Sequence, residues 1–265
     1  MFKFLKRSVT KEKLDSKISR FISRFGKTKE IKEVEKLREQ EELKDRFLGI
    51  FMKIGFARDK AEKQELIKKA KETADKTADL KGWPEKAAKF WDVEAAGWKA
   101  KIPYYVRQFI RKELLRRIPP GGLNLSLGPG SYPYIEESVL VDISEEMLKA
   151  AEPTVKFKKK IVHDLDKGYL PFKNNSFDTV TMVFVVNYLR NPEDVFREIY
   201  RVLKKKGKLI IVQSAKMLDD WYAKQEKKQY KAEELKKLLA AAGFMARIEK
   251  KKVKRTKLIF AEFTK

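Results

Sequence analysis

From Leu123 onward, short apolar runs alternate with amphipathic stretches, and this alternation limits the fold more than any other feature of the chain. The apolar runs predict strands over 123–127, 139–143, 155–162, 179–186, 208–213, 246–253 and 257–263. Helical patterns fall between them at 144–151, 191–204 and 231–242. Asn191-Pro192-Glu193-Asp194 is a sound helix start, with an N-cap residue, proline in the first turn and acids near the positive end of the helix dipole. Strands separated by helices must run parallel, with helices on both faces of the sheet. The last two strands are separated only by a short turn, which permits only antiparallel pairing. The expected fold is α/β: a doubly wound, mostly parallel seven-stranded sheet with an antiparallel strand near one edge.

The part before Leu123 reads differently. The first 80 residues contain no proline and carry apolar residues at helical spacing: Leu14, Ile18, Phe21, Ile22 and Phe25, then Ile31, Val34, Phe47, Ile50, Phe51 and Ile54. A third helical stretch, rich in Ala, Lys and Glu, covers 59–80. Lys81-Gly82-Trp83-Pro84 breaks the pattern. An aromatic segment holding Trp91, Trp98, Tyr104 and Tyr105 follows, then an amphipathic helix over 106–118 that Pro119-Pro120-Gly121-Gly122 ends. The expected organisation is a basic helical extension over 1–80, and a domain over 81–265 composed of front helices (81–120) and the sheet (121–265).

Composition narrows the chemistry. There is no cysteine and a single histidine, so disulfides, zinc–thiolate sites, a cysteine nucleophile and a multi-histidine metal centre are excluded within the chain, and no metal is expected. With 43% hydrophobic residues the chain can build a core, and the leading Met1 to Arg7 is too short and charged for a secretory signal. The expected location is therefore cytoplasmic. The net charge of +24 is spread over both parts, and such a field attracts phosphates or acidic surfaces. Absence of cysteine with abundant Lys and Glu also fits a thermophile's solvated surface.

Chemistry concentrates at the strand ends. Gly128 and Gly130 follow the first strand, where glycines let the backbone approach a ligand. Alone they also fit an ordinary turn. Asp142 ends the second strand, where an acid can accept both ribose hydroxyls of an adenosine ligand; it also fits a helix start, since Ser144-Glu145-Glu146 follows. Asp164 ends the third strand and can accept a hydrogen bond from an adenine amino group.

This ordered set resembles the class I S-adenosylmethionine (SAM)-dependent methyltransferases, most closely the type 11 group that includes quinone-biosynthesis methyltransferases. The resemblance rests on Asp142-Ile143-Ser144-Glu145-Glu146, Asp164-Leu165, Leu170-Pro171-Phe172 with Phe177-Asp178, Arg201-Val202-Leu203-Lys204 with Gly207, and Ala242-Gly243-Phe244. It implies SAM as cofactor. Gly128 and Gly130 would border its methionine part, Asp142 and Ile143 its ribose and adenine, Asp164 and Leu165 the adenine edge, and Phe184 and Val185 the floor. Asn187, Tyr188, Tyr104 and Tyr105 are candidates for the acceptor side, and Trp91 and Trp98 could close over the cofactor or simply pack. The charged segment 214–230, with Trp221 and Tyr222, reads as a lid or a surface helix. His163 would lie beside the adenine rather than the methyl, and no residue stands out as a catalytic base.

The chain departs from the family pattern in its first loop. Ser126 stands where the family usually has an acid, and Tyr132 where it has a third glycine. Fourteen residues separate Gly128 from Asp142, against about 20 in a dinucleotide-type fold. The shortfall exceeds one and a half helical turns, so the first helix is expected to be a turn or absent, with the extension covering its sheet face. The acceptor is expected to be RNA, from the basic charge, with a small-molecule or quinone-like acceptor or a protein as the weaker readings; the basic first helix also allows membrane-surface contact. The rival expectation is a methyltransferase fold that has lost catalysis and serves as an RNA-binding or scaffold subunit.

Overall fold

The computed structural model describes residues 28–151, 156–214 and 227–265. The helix expected over 14–25 and most of the expected lid, with Trp221 and Tyr222, lie outside the described residues. Two compact units divide between Pro84 and Glu85. In the first, α1 (Thr28–Ile54) and α2 (Lys60–Asp75) pack together. Asp59 caps α2 by accepting from the Glu62 N–H. Gln40 joins α1 to the chain after α2, its amide donating to the Lys76 carbonyl and accepting from the Ala78 N–H. Phe47 is fully buried and meets the edge of Trp83 at 4.9 Å. Helix α2 stops at Asp75, short of the expected 80; beyond it the chain continues in tighter turns, with the N–H groups of Lys76, Thr77, Leu80 and Trp83 each donating to the carbonyl three residues back.

The second unit begins with α3 (Ala87–Lys101) and α4 (Tyr104–Leu115), then enters the sheet. Its strands are β1 (Asn124–Leu127), β2 (Ser138–Asp142), β3 (Phe157–Val162), β4 (Phe177–Val183), β5 (Leu203–Ser214), β6 (Met245–Val253) and β7 (Thr256–Thr264), interrupted by α5 (Glu145–Ala151), α6 (Pro192–Val202) and α7 (Ala232–Ala241). The strand order is β3-β2-β1-β4-β5-β7-β6, parallel from β3 to β5, with β7 antiparallel to both its neighbours. The fold is the expected doubly wound α/β sheet. Its order reverses between β1 and β4, so a crevice opens at their carboxyl ends.

The two faces differ. On one, Leu125, Leu127, Val180, Met182, Leu209, Ile211 and Phe263 form a dry core with Phe196 and Ile199 of α6 and Leu235 and Leu239 of α7. On the other, β1 and β4 present Asn124, Ser126, Thr179 and Thr181, all buried, and the Asn124 amide donates to the hydroxyls of Ser138 and Thr181. The connection from β1 to β2 contains turns and bends but no helix. Helix α4 lies along the β5–β7–β6 side of this face. Its Phe109 meets Phe260 edge-on, while Arg117, just beyond its end, pairs with Glu249 and Glu262.

Candidate active site at the strand tips

The site begins where the sheet stops. The Gly128 N–H donates to the Val141 carbonyl at 2.7 Å, which turns the chain across the tip of β2. Gly128 and Gly130 both have positive φ, +60° and +57°. A Cβ on Gly128 would lie 2.6 Å from Val185, and one on Gly130 would lie 2.9 Å from the Trp98 indole. Both conformation and space therefore demand glycine. The Gly130 N–H donates to one oxygen of Asp142 and the Ser144 N–H to the other, each at 3.0 Å. Asp142 is 6% exposed. Burial pushes its carboxyl up to about 6, against the opposing pull of backbone N–H groups from Ser144, Gly130 and Ile143, with the nearby Asp92 adding to the rise.

Helix α3 closes the site from one side. The Ser144 hydroxyl donates to Asp92 of α3 at 2.7 Å while accepting from the Met147 N–H, so one side chain caps α5 and ties it to α3. Trp91 of α3 meets Trp98 at 5.2 Å and Tyr188 at 5.1 Å, both edge-on. Beyond β3, Asp164 caps a short 3₁₀ turn by accepting from the Asp166 N–H, and Asp166 in turn accepts from the N–H groups of Arg190 and Asn191. Phe184, just past β4, has φ of +60°, a strained conformation for a bulky side chain, and donates its N–H to the Val212 carbonyl.

Together these elements enclose a cavity of about 360 Å³. Gly128, Gly130, Asp142, Ile143, Asp164, Leu165, Phe184, Val185 and Tyr188 line it, and so do Trp91 and Trp98. Asn187 does not line it. Asn187 is buried, and its carbonyl accepts from the N–H groups of Lys227 and Lys228, tying that segment to the end of β4. Tyr104 and Tyr105 are also outside it: Tyr104 is exposed, and Tyr105 lies beneath the Lys254 ammonium at 4.5 Å. His163 is turned away, its Nε2 2.7 Å from the Tyr169 carbonyl. Residues that the sequence did not mark also line the cavity, among them Met147, Lys86, Arg190 and Lys227. The last three arrive from a helix start and two loops, and nothing in their local sequence marks them.

The comparisons with known proteins agree with this geometry. Residues 121–211 match the family model described as a methyltransferase domain. An uncharacterized protein of Methanocaldococcus jannaschii is 36% identical over 166 residues, covering 57% of this chain and 75% of that one. The chain belongs to the class I SAM-dependent methyltransferases. A demethylmenaquinone methyltransferase of Thermotoga maritima is 34% identical over 115 residues, 40% of this chain, and the match spans about half (49%) of that relative's length. Among solved structures, a SAM-dependent methyltransferase from Aquifex aeolicus shares the fold with TM-score 0.52 and 18% identity, covering 65% of this chain and 97% of that one.

SAM is the cofactor of this family, and the residues present fit it. The two glycines bring bare backbone to the cavity wall, packed against Val185 and Trp98 so closely that no Cβ fits, a buried carboxylate faces the cavity, and its volume is within the range of small-molecule sites.

Proposed function

We infer that the protein transfers the methyl group of SAM to an acceptor that enters beside α3 and the segment after β4. The observation that carries this reading is the Asp142 carboxylate at the rim of the Gly128–Gly130 cradle. When bound, SAM supplies an activated methyl on a sulfonium, so the protein needs no nucleophile of its own. Asp142 would accept the ribose hydroxyls, its two backbone N–H bonds holding the carboxylate in place. Ile143 and Leu165 would hold the adenine, with Asp164 accepting from its amino group. Gly128 and Gly130 would admit the methionine portion against the backbone, with Phe184 and Val185 as the floor. Trp91, Trp98 and Tyr188 would wall off water and orient the acceptor, and such alignment supplies much of the rate in a transfer of this kind.

A second reading, cofactor binding without transfer, is favoured by two features: Ser126 stands at the family's usual acidic position, and the connection after β1 contains no helix. Methyl-labelled SAM incubated with the purified chain and with total RNA, lipid extract or protein separates the two. Transfer of label to one fraction, lost in Asp142→Ala, is the expected result. Tight binding of S-adenosylhomocysteine with no labelled fraction would instead establish the binding-only reading.

A further inference from the structure

Two backbone N–H groups hold the Asp142 carboxylate, those of Gly130 and Ser144. Helix α3 braces both residues. The Trp98 indole lies so close to Gly130 that a Cβ there would come within 2.9 Å of it. Asp92, on the same helix, accepts from the Ser144 hydroxyl at 2.7 Å through one oxygen, and its other oxygen faces the Lys89 ammonium at 3.5 Å. Ser144 is fully buried, and the Asp92 side chain is 19% exposed. Asp92 is not among the residues that line the cavity. Its neighbour Trp91 is, and meets Tyr188 edge-on. One helix therefore reaches the cofactor seat at two points while forming part of the opposite wall.

A tie between α3 and α5 needs only a neutral acceptor for the Ser144 hydroxyl, such as an amide oxygen. A carboxylate in that place also sets a negative charge near Asp142, and that charge disfavours the ionised form of Asp142. Asp92 reaches Asp142 through a single residue, Ser144. The other charged or titratable groups around Asp142 are engaged elsewhere. Glu145 and Glu146 of α5 pair with Lys149. The His163 ring, beyond β3, faces the Tyr169 carbonyl. Asp164, which lines the same cavity, accepts from the Asp166 N–H. Without Asp92, the buried Ser144 hydroxyl loses the acceptor to which it donates, and the peptide whose N–H holds Asp142 loses its anchor.

We propose that Asp92 is a positioning residue for the ribose acceptor: through Ser144 it fixes the Asp142 carboxylate, and because it stands on α3 it couples occupation of the cofactor seat to the wall that Trp91 presents to the acceptor. The proposal rests on the reading that an adenosyl ligand binds at Asp142. It gives a role to a side chain that touches neither ligand.

Calorimetric titration with S-adenosylhomocysteine, from about pH 5 to about pH 8, would be run on the full chain and on Asp92→Ala, Asp92→Asn, Ser144→Ala and the double variant Asp92→Ala/Ser144→Ala, each with a melting curve. At neutral pH, Asp92→Ala and Ser144→Ala should each weaken binding by about tenfold, and the double variant by about the same factor, because the two side chains act as one unit. Asp92→Asn keeps an acceptor for the hydroxyl and should recover most of the affinity lost in Asp92→Ala. It also removes the charge, so its loss of affinity on acidification should begin at lower pH than in the wild type. Hydrogen exchange of the α3 amides should slow when S-adenosylhomocysteine is added to the wild type, and slow less in Asp92→Ala. Wild-type affinity in Asp92→Ala, additive losses in the double variant, an unshifted acid limb in Asp92→Asn, or equal slowing of α3 exchange in wild type and Asp92→Ala would each overturn the proposal. Should the alanine variants fail to fold, the acid limb of Asp92→Asn decides it. Absence of S-adenosylhomocysteine binding by the wild type would overturn the cofactor reading and this proposal with it, whereas wild-type binding that the Asp92 variants leave intact overturns this proposal alone.

Discussion

The two walls of the cavity are built on different principles. The wall under the proposed cofactor is made of strand ends: Gly128, Gly130, Asp142 and Asp164 are placed by β1, β2 and β3, and their hydrogen bonds are to backbone. The facing wall is made of side chains from a helix and loops, with Trp91 and Trp98 on α3, Tyr188 after β4, and Arg190 and Lys227 on connections. A backbone-built wall has one geometry and serves one ligand. A side-chain wall can change by substitution while the sheet stays fixed, which explains how one fold serves many acceptors.

The comparison predicts that damage to the first wall removes binding outright. Gly128→Val places a branched side chain at φ +60° against Val185. We expect loss of S-adenosylhomocysteine binding by more than 100-fold in calorimetry and a stability cost of about 3 kcal/mol by urea melts. Binding within threefold of wild type would show that the cradle is not the ligand's seat. Asp142→Ala removes an acceptor without adding bulk, and should weaken S-adenosylhomocysteine by about 2–3 kcal/mol, roughly 30- to 150-fold.

Away from both walls, one ion cluster should respond through stability and leave the ligand untouched. Glu113 anchors α4 to the β6–β7 hairpin, accepting from Arg116, Arg117 and Lys251 at 2.8–2.9 Å. Burial alone would raise its carboxyl, but the hydrogen bonds from Lys251 and Arg117 outweigh it and hold the group down at about 2. Since the folded value is below the ordinary 4.5, its stabilisation is complete above that value and disappears as pH falls towards 2. Glu113→Gln should cost about 2 kcal/mol at neutral pH and flatten that acid limb, leaving S-adenosylhomocysteine affinity unchanged. An unaltered acid limb would mean the cluster is not a stabilising hub.

The smallest effect distinguishes the walls by pH. Asp142 is raised to about 6 by burial, so the folded protein takes up a proton between the ordinary carboxylate range and pH 6, and the ionised acceptor is lost below it. S-adenosylhomocysteine should bind about tenfold more weakly at pH 5 than at pH 7. In Asp142→Asn that dependence should vanish; if it persists, another group titrates the site.

How much of this was legible in the sequence follows the same division. The strands could be read from apolar runs such as Val139–Val141 and Leu209–Val212, because strands buried on both faces must be apolar for their length. Asp142 and the glycines could be read because a strand tip and a left-handed turn restrict the residue type. The end of β4 was less clear: the strand stops at Val183 and Phe184 turns into the left-handed region, which no apolar pattern signals. β5 begins earlier than expected, at Leu203, pairing with Phe177 before the irregular stretch through Lys206 at φ +64°. The aromatic segment after Pro84 proved to be a helix, its rings divided between cavity and core, a division fixed only by how α3 lies against α5. Asn187 and Tyr188 are adjacent in sequence, yet one holds a loop and the other faces the cavity. Tyr104 and Tyr105 do not line the cavity, and Tyr105 lies by the hairpin under Lys254, since α4 follows the β5–β7–β6 side of the sheet.

The account depends on an adenosyl ligand lying across the tips of β1 and β2. A crystal structure of the chain with S-adenosylhomocysteine tests it most directly. The account predicts ribose hydroxyls within hydrogen-bonding distance of the Asp142 carboxylate and the homocysteine chain against Gly128 and Gly130. Ligand bound elsewhere, or a crevice filled by Trp98 and Met147 with no ligand in it, would contradict it.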